Sequence, residues 1–205
     1  MTKVSASEQR ERMNRMYQAV LPIYDITRRY WLLGREELLK QLEGEQWDSL
    51  VEVGCGTGRN LAKLQAMRPE ARFGGSDISD AMLGKAREKC PWGAFAQGAA
   101  ESADIESILG KKPDRIVLSY CMSMFHEPFE ALENARRQIA PGGKVMIADF
   151  GRMDRWNPLA FKAMRRFLDH YHVFELDHSG LESEATEYRT GLGGFWSVMS
   201  FGPAS

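Results

Sequence analysis

The 205-residue sequence has few cysteines and no long apolar run. Its three cysteines, Cys55, Cys90 and Cys121, are too few and too scattered for a disulfide framework or a zinc site. We therefore predict a reduced, cytoplasmic protein without a metal. The first sixteen residues lack an apolar core, so no signal peptide is expected. The longest uncharged stretch, residues 190–205, contains four glycines and is too short to span a bilayer, so any membrane contact should be peripheral.

The chain also lacks an excess of either charge. Its 27 basic and 28 acidic residues give a net charge of −1, which argues against a nucleic-acid partner. The charge is unevenly distributed, because residues 1–40 and 150–173 each carry net +3, whereas residues 41–149 carry −3 and residues 174–205 carry −4. An apolar content of 43% is enough for a core, and the length suits one domain.

The hydrophobic periodicity divides this single predicted domain (1–205) into three parts. Two amphipathic helices separated by Pro22 come first, and strands that alternate with helices follow. Such alternation predicts an α/β fold with a doubly wound, mostly parallel sheet. The predicted parts are an N-terminal helical lid (1–44), a cofactor-binding core (45–150), and a C-terminal part with an amphipathic helix and strands (151–205).

The most informative motif is VEVGCGTG at residues 51–58, which follows a strand and opens a helix. Ligands of open α/β sheets bind at the carboxyl ends of strands, and glycines there let the backbone approach a ligand. The spacing G-x-G-x-G fits neither the dinucleotide fingerprint nor a P-loop. Asp77 ends the next strand, nineteen residues after Gly58, where a carboxylate can accept hydrogen bonds from both hydroxyls of a ribose.

These residues, with the strand 116–120 and the turn 141–143, resemble the class I S-adenosylmethionine-dependent methyltransferases over about residues 47–150. The resemblance implies a Rossmann-like, seven-stranded, mostly parallel sheet, S-adenosylmethionine as cofactor and S-adenosylhomocysteine as product. The glycines would line the methionine part of the cofactor, Asp77 would hold the ribose, and Ile78 and Met82 would contact the adenine. The cofactor-binding residues predicted in this way are Glu52, Gly54, Cys55, Gly56, Gly58, Asn60, Asp77, Ile78, Met82, Ala99, Ala100 and Ser119.

One position departs from the family pattern. Members often carry an aspartate for the adenine amino group after the glycine of the third strand, where Ala99 stands here. We expect the backbone of Ala99 or Ala100 to contact the adenine instead. Glu101 is either a substitute for the missing aspartate or a plain surface residue.

The methyl acceptor determines which further residues are needed. Methyl transfer is an in-line displacement that requires a strong base only if the acceptor must lose a proton. An amine needs only to arrive neutral, and aromatic faces can stabilise the ammonium that forms. The predicted catalytic residues are Tyr120, His126, Tyr24 and Tyr30, and the predicted substrate or lid residues are Trp31, Arg35, Phe125 and Asp149. Each aromatic also fits an ordinary core, His126 a structural role, and Asp149 a capping role.

A second resemblance concerns residues 23–36, IYDITRRYWLLGRE, which are similar to the entry segment of bacterial diacylglycerylhomoserine N-methyltransferases. Such enzymes methylate the homoserine amine of a membrane lipid three times and produce a betaine lipid. The resemblance implies that Tyr24, Tyr30 and Arg35 belong to a lid over cofactor and headgroup. Arg35 would pair with a carboxylate of substrate or cofactor, or else be an ordinary helix-surface arginine.

A lipid substrate requires docking at a membrane. Helices 7–20 and 157–171 have basic rims suited to an anionic surface, where each basic residue contributes about 1 kcal/mol. Trp156 and Phe161 are the predicted interfacial anchors, although both helices equally fit packing on their own domain. We therefore expect a cytoplasmic enzyme attached peripherally to the inner face of the cytoplasmic membrane, and make no prediction of oligomeric state.

Three other functions remain open at this point. The first is a phosphatidylethanolamine N-methyltransferase, which differs only in its headgroup. The second is a C-methyltransferase that acts on a quinone precursor, for which His126 would serve as base. The third is a cofactor-binding module without turnover.

Overall fold

The computed structural model describes residues 32–170, 173 and 176–204. Its centre is a seven-stranded sheet with the strand order β3-β2-β1-β4-β5-β7-β6. The strands are β1 (Ser49–Val53), β2 (Arg72–Asp77), β3 (Ala94–Gln97), β4 (Arg115–Ser119), β5 (Lys144–Phe150), β6 (Glu187–Gly191) and β7 (Trp196–Phe201). The helices are α1 (Gly34–Gly44), α2 (Arg59–Met67), α3 (Asp80–Lys89), α4 (Ile105–Leu109), α5 (Pro128–Gln138), α6 (Pro158–His170) and α7 (His178–Glu184).

The sheet is parallel from β3 to β5 and becomes antiparallel at β7. The central strands β1 and β4 are buried along their whole length, because helices cover both faces of the sheet. Val51 of β1 pairs with Gly74 of β2 on one side and with Ile116 of β4 on the other. The chain order reverses between β1 and β4, which opens a crevice at their carboxyl ends. The predicted fold class is thus confirmed.

The core lies in two layers, one on each face of the sheet. Along β4, Ile116 and Leu118 point into the layer under α4, α5 and α7, whereas Val117 points into the layer under α1, α2 and α3. This alternation is the period of two that a strand imposes on its side chains. Leu38 and Leu42 of α1 are fully buried in the second layer, on the helix face that the sequence predicts.

The strands and helices alternate through the core as the sequence predicts. Ser79 caps α3, since its hydroxyl accepts a hydrogen bond from the Met82 amide at 3.4 Å. The strands predicted in the C-terminal part form the antiparallel hairpin of β6 and β7. The sequence did not indicate α4 and α7, which are only five and seven residues long and too short to show a helical period. The predicted helix 7–20 lies outside the described residues.

Helix α6 packs beside β7 through Phe161, Met164 and Leu168, as its periodicity predicts. Trp156, just before this helix, stacks on Phe195 with ring centroids 5.5 Å apart and an interplanar angle of 12°. Trp156 and Phe161 are therefore half-buried in a small apolar cluster, and their role as membrane anchors stays a prediction. Among the described residues, no helix has the length and apolarity that crossing a bilayer requires.

Candidate active site

A cleft opens at the carboxyl ends of β1, β2 and β4, where the strand order reverses. It encloses about 920 Å³ with its open mouth included. Its lining residues are Arg35, Glu52, Gly54, Cys55, Gly56, Thr57, Arg59, Asn60, Asp77, Ile78, Gly98, Ala99, Ala100, Glu101, Ser119, Tyr120, Cys121, Met124 and Phe125. The crevice predicted from strand alternation is thus a real cavity.

The glycine loop between β1 and α2 owes its shape to left-handed backbone. Gly54 has φ +70°, Gly56 +54° and Gly58 +73°, values that glycine adopts without steric strain. A β-carbon on Gly54 would lie 2.8 Å from the Cβ of Cys121, so this glycine also allows the loop to pack against the segment after β4. A β-carbon on Gly56 would meet nothing within 4 Å, because this residue faces the open cleft.

Asp77 connects the end of β2 to this loop. Its Oδ2 accepts a hydrogen bond from the Gly56 amide and its Oδ1 accepts one from the Ser79 amide, both at 2.9 Å. The side chain is buried, and burial raises the pKa of Asp77 while the backbone N–H donors oppose the rise. The carboxylate thus lies on the cleft wall, fixed in orientation, where the sequence predicts the ribose contact.

Glu52 of β1 forms a second buried acidic group on the same wall. Its Oε1 accepts a hydrogen bond from Asn60 Nδ2 at 2.6 Å. Burial raises the pKa of Glu52 to about 7, although the bond from Asn60 and the charge of Arg35 lower it. Among the described residues, no partner reaches Glu52 Oε2, Asn60 Oδ1 or the Ser119 hydroxyl, and all three atoms are buried. These unpartnered atoms on the cleft wall fit the amino-acid end of S-adenosylmethionine.

The adenine side of the cleft differs in part from the prediction. Ile78, Ala99 and Ala100 line it as expected, together with Gly98 and Glu101. Met82 does not line the cleft, because the first turn of α3 directs its side chain fully into the protein interior. Its predicted adenine contact is therefore replaced by a role in the core.

The opposite wall follows β4 and is largely apolar. Tyr120 lies on it with φ +54°, a strained value for a residue other than glycine. Its hydroxyl accepts a hydrogen bond from the Gly34 amide at 2.8 Å and so caps the start of α1. Its ring meets Phe150 edge-on with centroids 5.0 Å apart. Burial raises the pKa of Tyr120, and the bond from Gly34 gives the hydroxyl a structural role at the start of α1.

Gly58, predicted to bind the cofactor, does not line the cleft, and two of the predicted catalytic and substrate residues also lie away from it. His126 is exposed, does not line the cavity, and places its Nδ1 3.2 Å from Glu127 Oε1. Asp149 is fully buried and accepts hydrogen bonds from the Ser123 amide at 3.1 Å and hydroxyl at 2.9 Å. Burial raises the pKa of Asp149 to about 6. Asp149 thus holds the short 3₁₀ turn Met122–Met124, and neither residue faces the acceptor as predicted.

The remaining predicted residues divide into two groups. Arg35 and Phe125 line the cleft as expected, whereas Tyr24, Tyr30 and Trp31 lie outside the described residues. The structure adds several lining residues that the sequence analysis did not assign to the site: Thr57, Arg59, Gly98, Cys121 and Met124. Each of these residues is next to a predicted site residue in the chain. Assigning every residue of the loops at the strand ends to the site would therefore have included them.

Comparison with known proteins identifies the family. Residues 24–188 match a protein family described as a methyltransferase domain. The chain belongs to this family. The family and the fold support the predicted class I S-adenosylmethionine-dependent methyltransferase domain, and the activity of this chain is proposed below.

Curated relatives include a demethylmenaquinone methyltransferase of Chlorobaculum tepidum, 28% identical over 152 residues, or 70% of this chain and 61% of the relative. A trans-aconitate 2-methyltransferase of Methylobacterium nodulans is 34% identical over 99 residues, or 48% of this chain and 36% of the relative. The chain thus spans less than two thirds of the length of these relatives.

Solved structures share the fold at low sequence identity. One is an S-adenosylmethionine-dependent methyltransferase of Thermotoga maritima, a possible histamine N-methyltransferase (TM-score 0.67, 17% identity, 91% of this chain and 97% of that chain). Another is CalS10, an amino pentose methyltransferase from Micromonospora echinaspora solved with bound S-adenosylmethionine (TM-score 0.52, 23% identity, 67% of this chain and 58% of that chain).

Proposed function

We propose that this methyltransferase transfers methyl groups to the amine of a lipid headgroup. The preferred acceptor is the homoserine amine of diacylglycerylhomoserine, and the product is the trimethylated betaine lipid. The observation that carries the proposal is the chemistry of the acceptor wall, defined as Tyr120, Cys121, Met124 and Phe125.

The acceptor wall suits a nucleophile that needs no base. The Tyr120 hydroxyl is held by Gly34, and burial raises the pKa values of Tyr120 and of the Cys121 thiol. Met124 and Phe125 are apolar. Among the described residues of this wall, none is therefore a base at neutral pH. A neutral amine attacks without a base, whereas the carbon of a quinol precursor requires removal of a proton.

The cofactor wall would position the methyl donor. Asp77 and the glycine loop would hold the nucleoside, and Glu52, Asn60 and Ser119 the amino-acid end. When bound, S-adenosylmethionine supplies the methyl group for an in-line displacement at its sulfonium. The apolar acceptor wall would surround the acceptor amine and leave the ammonium product facing the Phe125 ring. Each of the first two ammonium products would release its proton to bulk water through the open mouth of the cleft before the next methyl transfer.

Arg35 supports the choice of an amino-acid headgroup. It lines the cleft one residue after Gly34. It lies close enough to Glu52 and Tyr120 for its positive charge to oppose the rise that burial causes in both of their pKa values. A guanidinium in this position can bind a carboxylate, either that of the homoserine or that of the cofactor. Residues 23–36, which include Arg35, also resemble the entry segment of diacylglycerylhomoserine N-methyltransferases.

A second candidate function is C-methylation of a quinone precursor. It is favoured by the relative named demethylmenaquinone methyltransferase. It is disfavoured by the position of His126, the residue predicted as base for such a reaction, which does not line the cleft. A phosphatidylethanolamine acceptor needs the same chemistry as the preferred one but has a phosphate in place of the homoserine carboxylate.

The test is an acceptor comparison. The purified protein is incubated with methyl-labelled S-adenosylmethionine and, separately, with dispersed diacylglycerylhomoserine, phosphatidylethanolamine and demethylmenaquinol. We expect label in the mono-, di- and trimethylated homoserine lipids. Label confined to phosphatidylethanolamine products or to menaquinol would overturn the proposed acceptor.

A lipid acceptor also implies a location. The enzyme would work peripherally on the anionic inner face of the cytoplasmic membrane, as the net charge of +3 on residues 150–173 supports. No nucleic-acid partner is proposed.

A further inference from the structure

We propose that the outer face of α6 and the tip of the β6–β7 hairpin form a docking surface for an anionic lipid bilayer. The docking surface consists of three exposed apolar side chains, Leu159, Phe167 and Leu192, and three basic ones, Arg155, Lys162 and Arg166. The choice of a bilayer as partner rests on the proposed lipid acceptor. The surface excludes Trp156 and Phe161, the anchors predicted from sequence.

The outer face of α6 carries apolar and basic residues in one stripe. Leu159, Lys162, Ala163, Arg166 and Phe167 follow the spacing i, i+3, i+4, i+7, i+8, which places them side by side on a helix. All five are exposed, Leu159 to 81% and Phe167 to 40%. At 1.5 Å per residue, the two apolar side chains lie about 12 Å apart along the axis.

The hairpin tip extends this stripe beyond the start of α6. The Trp156 indole donates a hydrogen bond to the Leu192 carbonyl at 2.9 Å, and the Met153 amide donates one to the Gly194 carbonyl at 2.8 Å. These bonds fix the tip against the segment that leads into α6. Leu192 is therefore held next to the helix end that carries Leu159.

Leu192 is an unfavourable residue for a hairpin tip unless it has a partner. Its φ is +52°, a left-handed value for which glycine, asparagine or aspartate is usual. Its side chain is 61% exposed, so packing within the chain does not offset the backbone strain. Insertion into the apolar boundary of a bilayer would bury this side chain and account for its presence.

The basic residues of the surface make it complementary to anionic lipid. Within the described part of the chain, Arg155, Lys162 and Arg166 form no ion pair, whereas their neighbours Arg152 and Arg165 are paired with Glu182 and Asp169. These three basic side chains, which form no ion pair among the described residues, therefore all belong to the docking surface. Each basic residue near an anionic leaflet strengthens binding about fivefold.

The charge component is tested by flotation with vesicles of phosphatidylglycerol and phosphatidylcholine. Wild type should bind the anionic vesicles preferentially, and salt should weaken the binding. Lys162→Glu/Arg166→Glu should weaken it at least about 25-fold. The control Lys112→Glu/Arg137→Glu makes the same charge change at two exposed residues in the loop before β4 and the last turn of α5, and should bind like wild type. Equal losses in both variants would overturn the proposal, as would a wild type that fails to float.

The apolar component is tested with Leu159→Ser/Leu192→Ser. Both side chains are exposed, so the melting temperature should be unchanged while vesicle binding falls about tenfold or more. Met67→Ser, at a side chain exposed to 39% on α2, is the matched control and should retain binding. Full binding by the double variant would contradict the proposed insertion.

Activity on two forms of the acceptor separates docking from catalysis. The double variant should lose activity on diacylglycerylhomoserine in vesicles but keep the wild-type rate on a water-soluble, short-chain form. Loss on both forms would contradict a docking role. A wild type that floats with vesicles but methylates neither form would refute the proposed acceptor and leave the docking surface intact.

Discussion

The two walls of the cleft are built in opposite ways. The cofactor wall, formed by the ends of β1 and β2 and the loops that follow them, carries the buried carboxyl groups of Glu52 and Asp77 and the buried amide of Asn60. The acceptor wall after β4 carries buried phenol, thiol, thioether and phenyl groups. Under the proposed function, the first wall would orient a polar methyl donor and the second would place apolar groups beside the acceptor. The predictions below test the two walls separately.

The largest effect should come from the cofactor wall. Asp77→Ala removes a buried carboxylate that accepts two backbone hydrogen bonds and faces the expected ribose. S-adenosylhomocysteine affinity should fall about 100-fold, or about 3 kcal/mol, because bonds to a charged acceptor are lost. Titration calorimetry measures this. Asp80→Ala, an exposed carboxylate three residues further on, should leave the affinity unchanged, and equal affinities in all three proteins would refute the assignment.

The boundary between the walls is tested by Gly54→Ala. Both this variant and its control Gly110→Ala place alanine at φ +70°, which costs about 1 kcal/mol of stability. Only the Gly54 variant places a β-carbon 2.8 Å from Cys121, which adds about 1–2 kcal/mol of overpacking. Denaturant unfolding should therefore show the larger loss at Gly54, and only this variant should bind cofactor more weakly. Equal losses in the free energy of unfolding would mean that the Cys121 side chain can move to accommodate a β-carbon at Gly54.

The acidic character of the cofactor wall predicts a pH dependence. Burial raises the pKa of Glu52 from 4.5 to about 7, so the folded protein holds a proton that the unfolded chain has lost between these pH values. The free energy of unfolding should therefore decline as pH rises through this window, by about 2 kcal/mol from Glu52. Glu52→Gln should flatten the decline in denaturant titrations from pH 5 to 8. Asp149, whose pKa is raised to about 6, would supply the residual slope.

The smallest effect should come from the acceptor wall. Tyr120→Phe keeps the ring against Phe150 but removes the hydroxyl that caps Gly34, which should cost about 1 kcal/mol of stability. Because the hydroxyl serves α1, we expect kcat to change less than about fivefold. A hundredfold loss of kcat with unchanged KM would restore the catalytic role predicted from sequence.

The cofactor wall was far easier to predict from sequence than the acceptor wall. The spacing of Gly54, Gly56 and Asp77 reflects backbone geometry at two adjacent strand ends, so it is visible in one sequence. The centre of β5 is likewise visible, because residues 145–148 form a continuous apolar run.

The acceptor wall depends on contacts between distant segments. Whether Asp149 faces the cleft is decided by Ser123, and whether the Tyr120 hydroxyl is available is decided by Gly34, 86 residues away. Neither contact leaves a periodic signal. The predicted site residues Tyr24, Tyr30 and Trp31 lie outside the described residues.

The proposed function requires that the methyl group is transferred to a nitrogen atom beside the acceptor wall. The most direct test is NMR of the lipid product made with S-adenosylmethionine carrying a ¹³C-labelled methyl group. We predict the signal of an N-methyl carbon on a homoserine headgroup, with successive signals for one, two and three methyl groups. A C-methyl signal on a quinone ring would contradict the account.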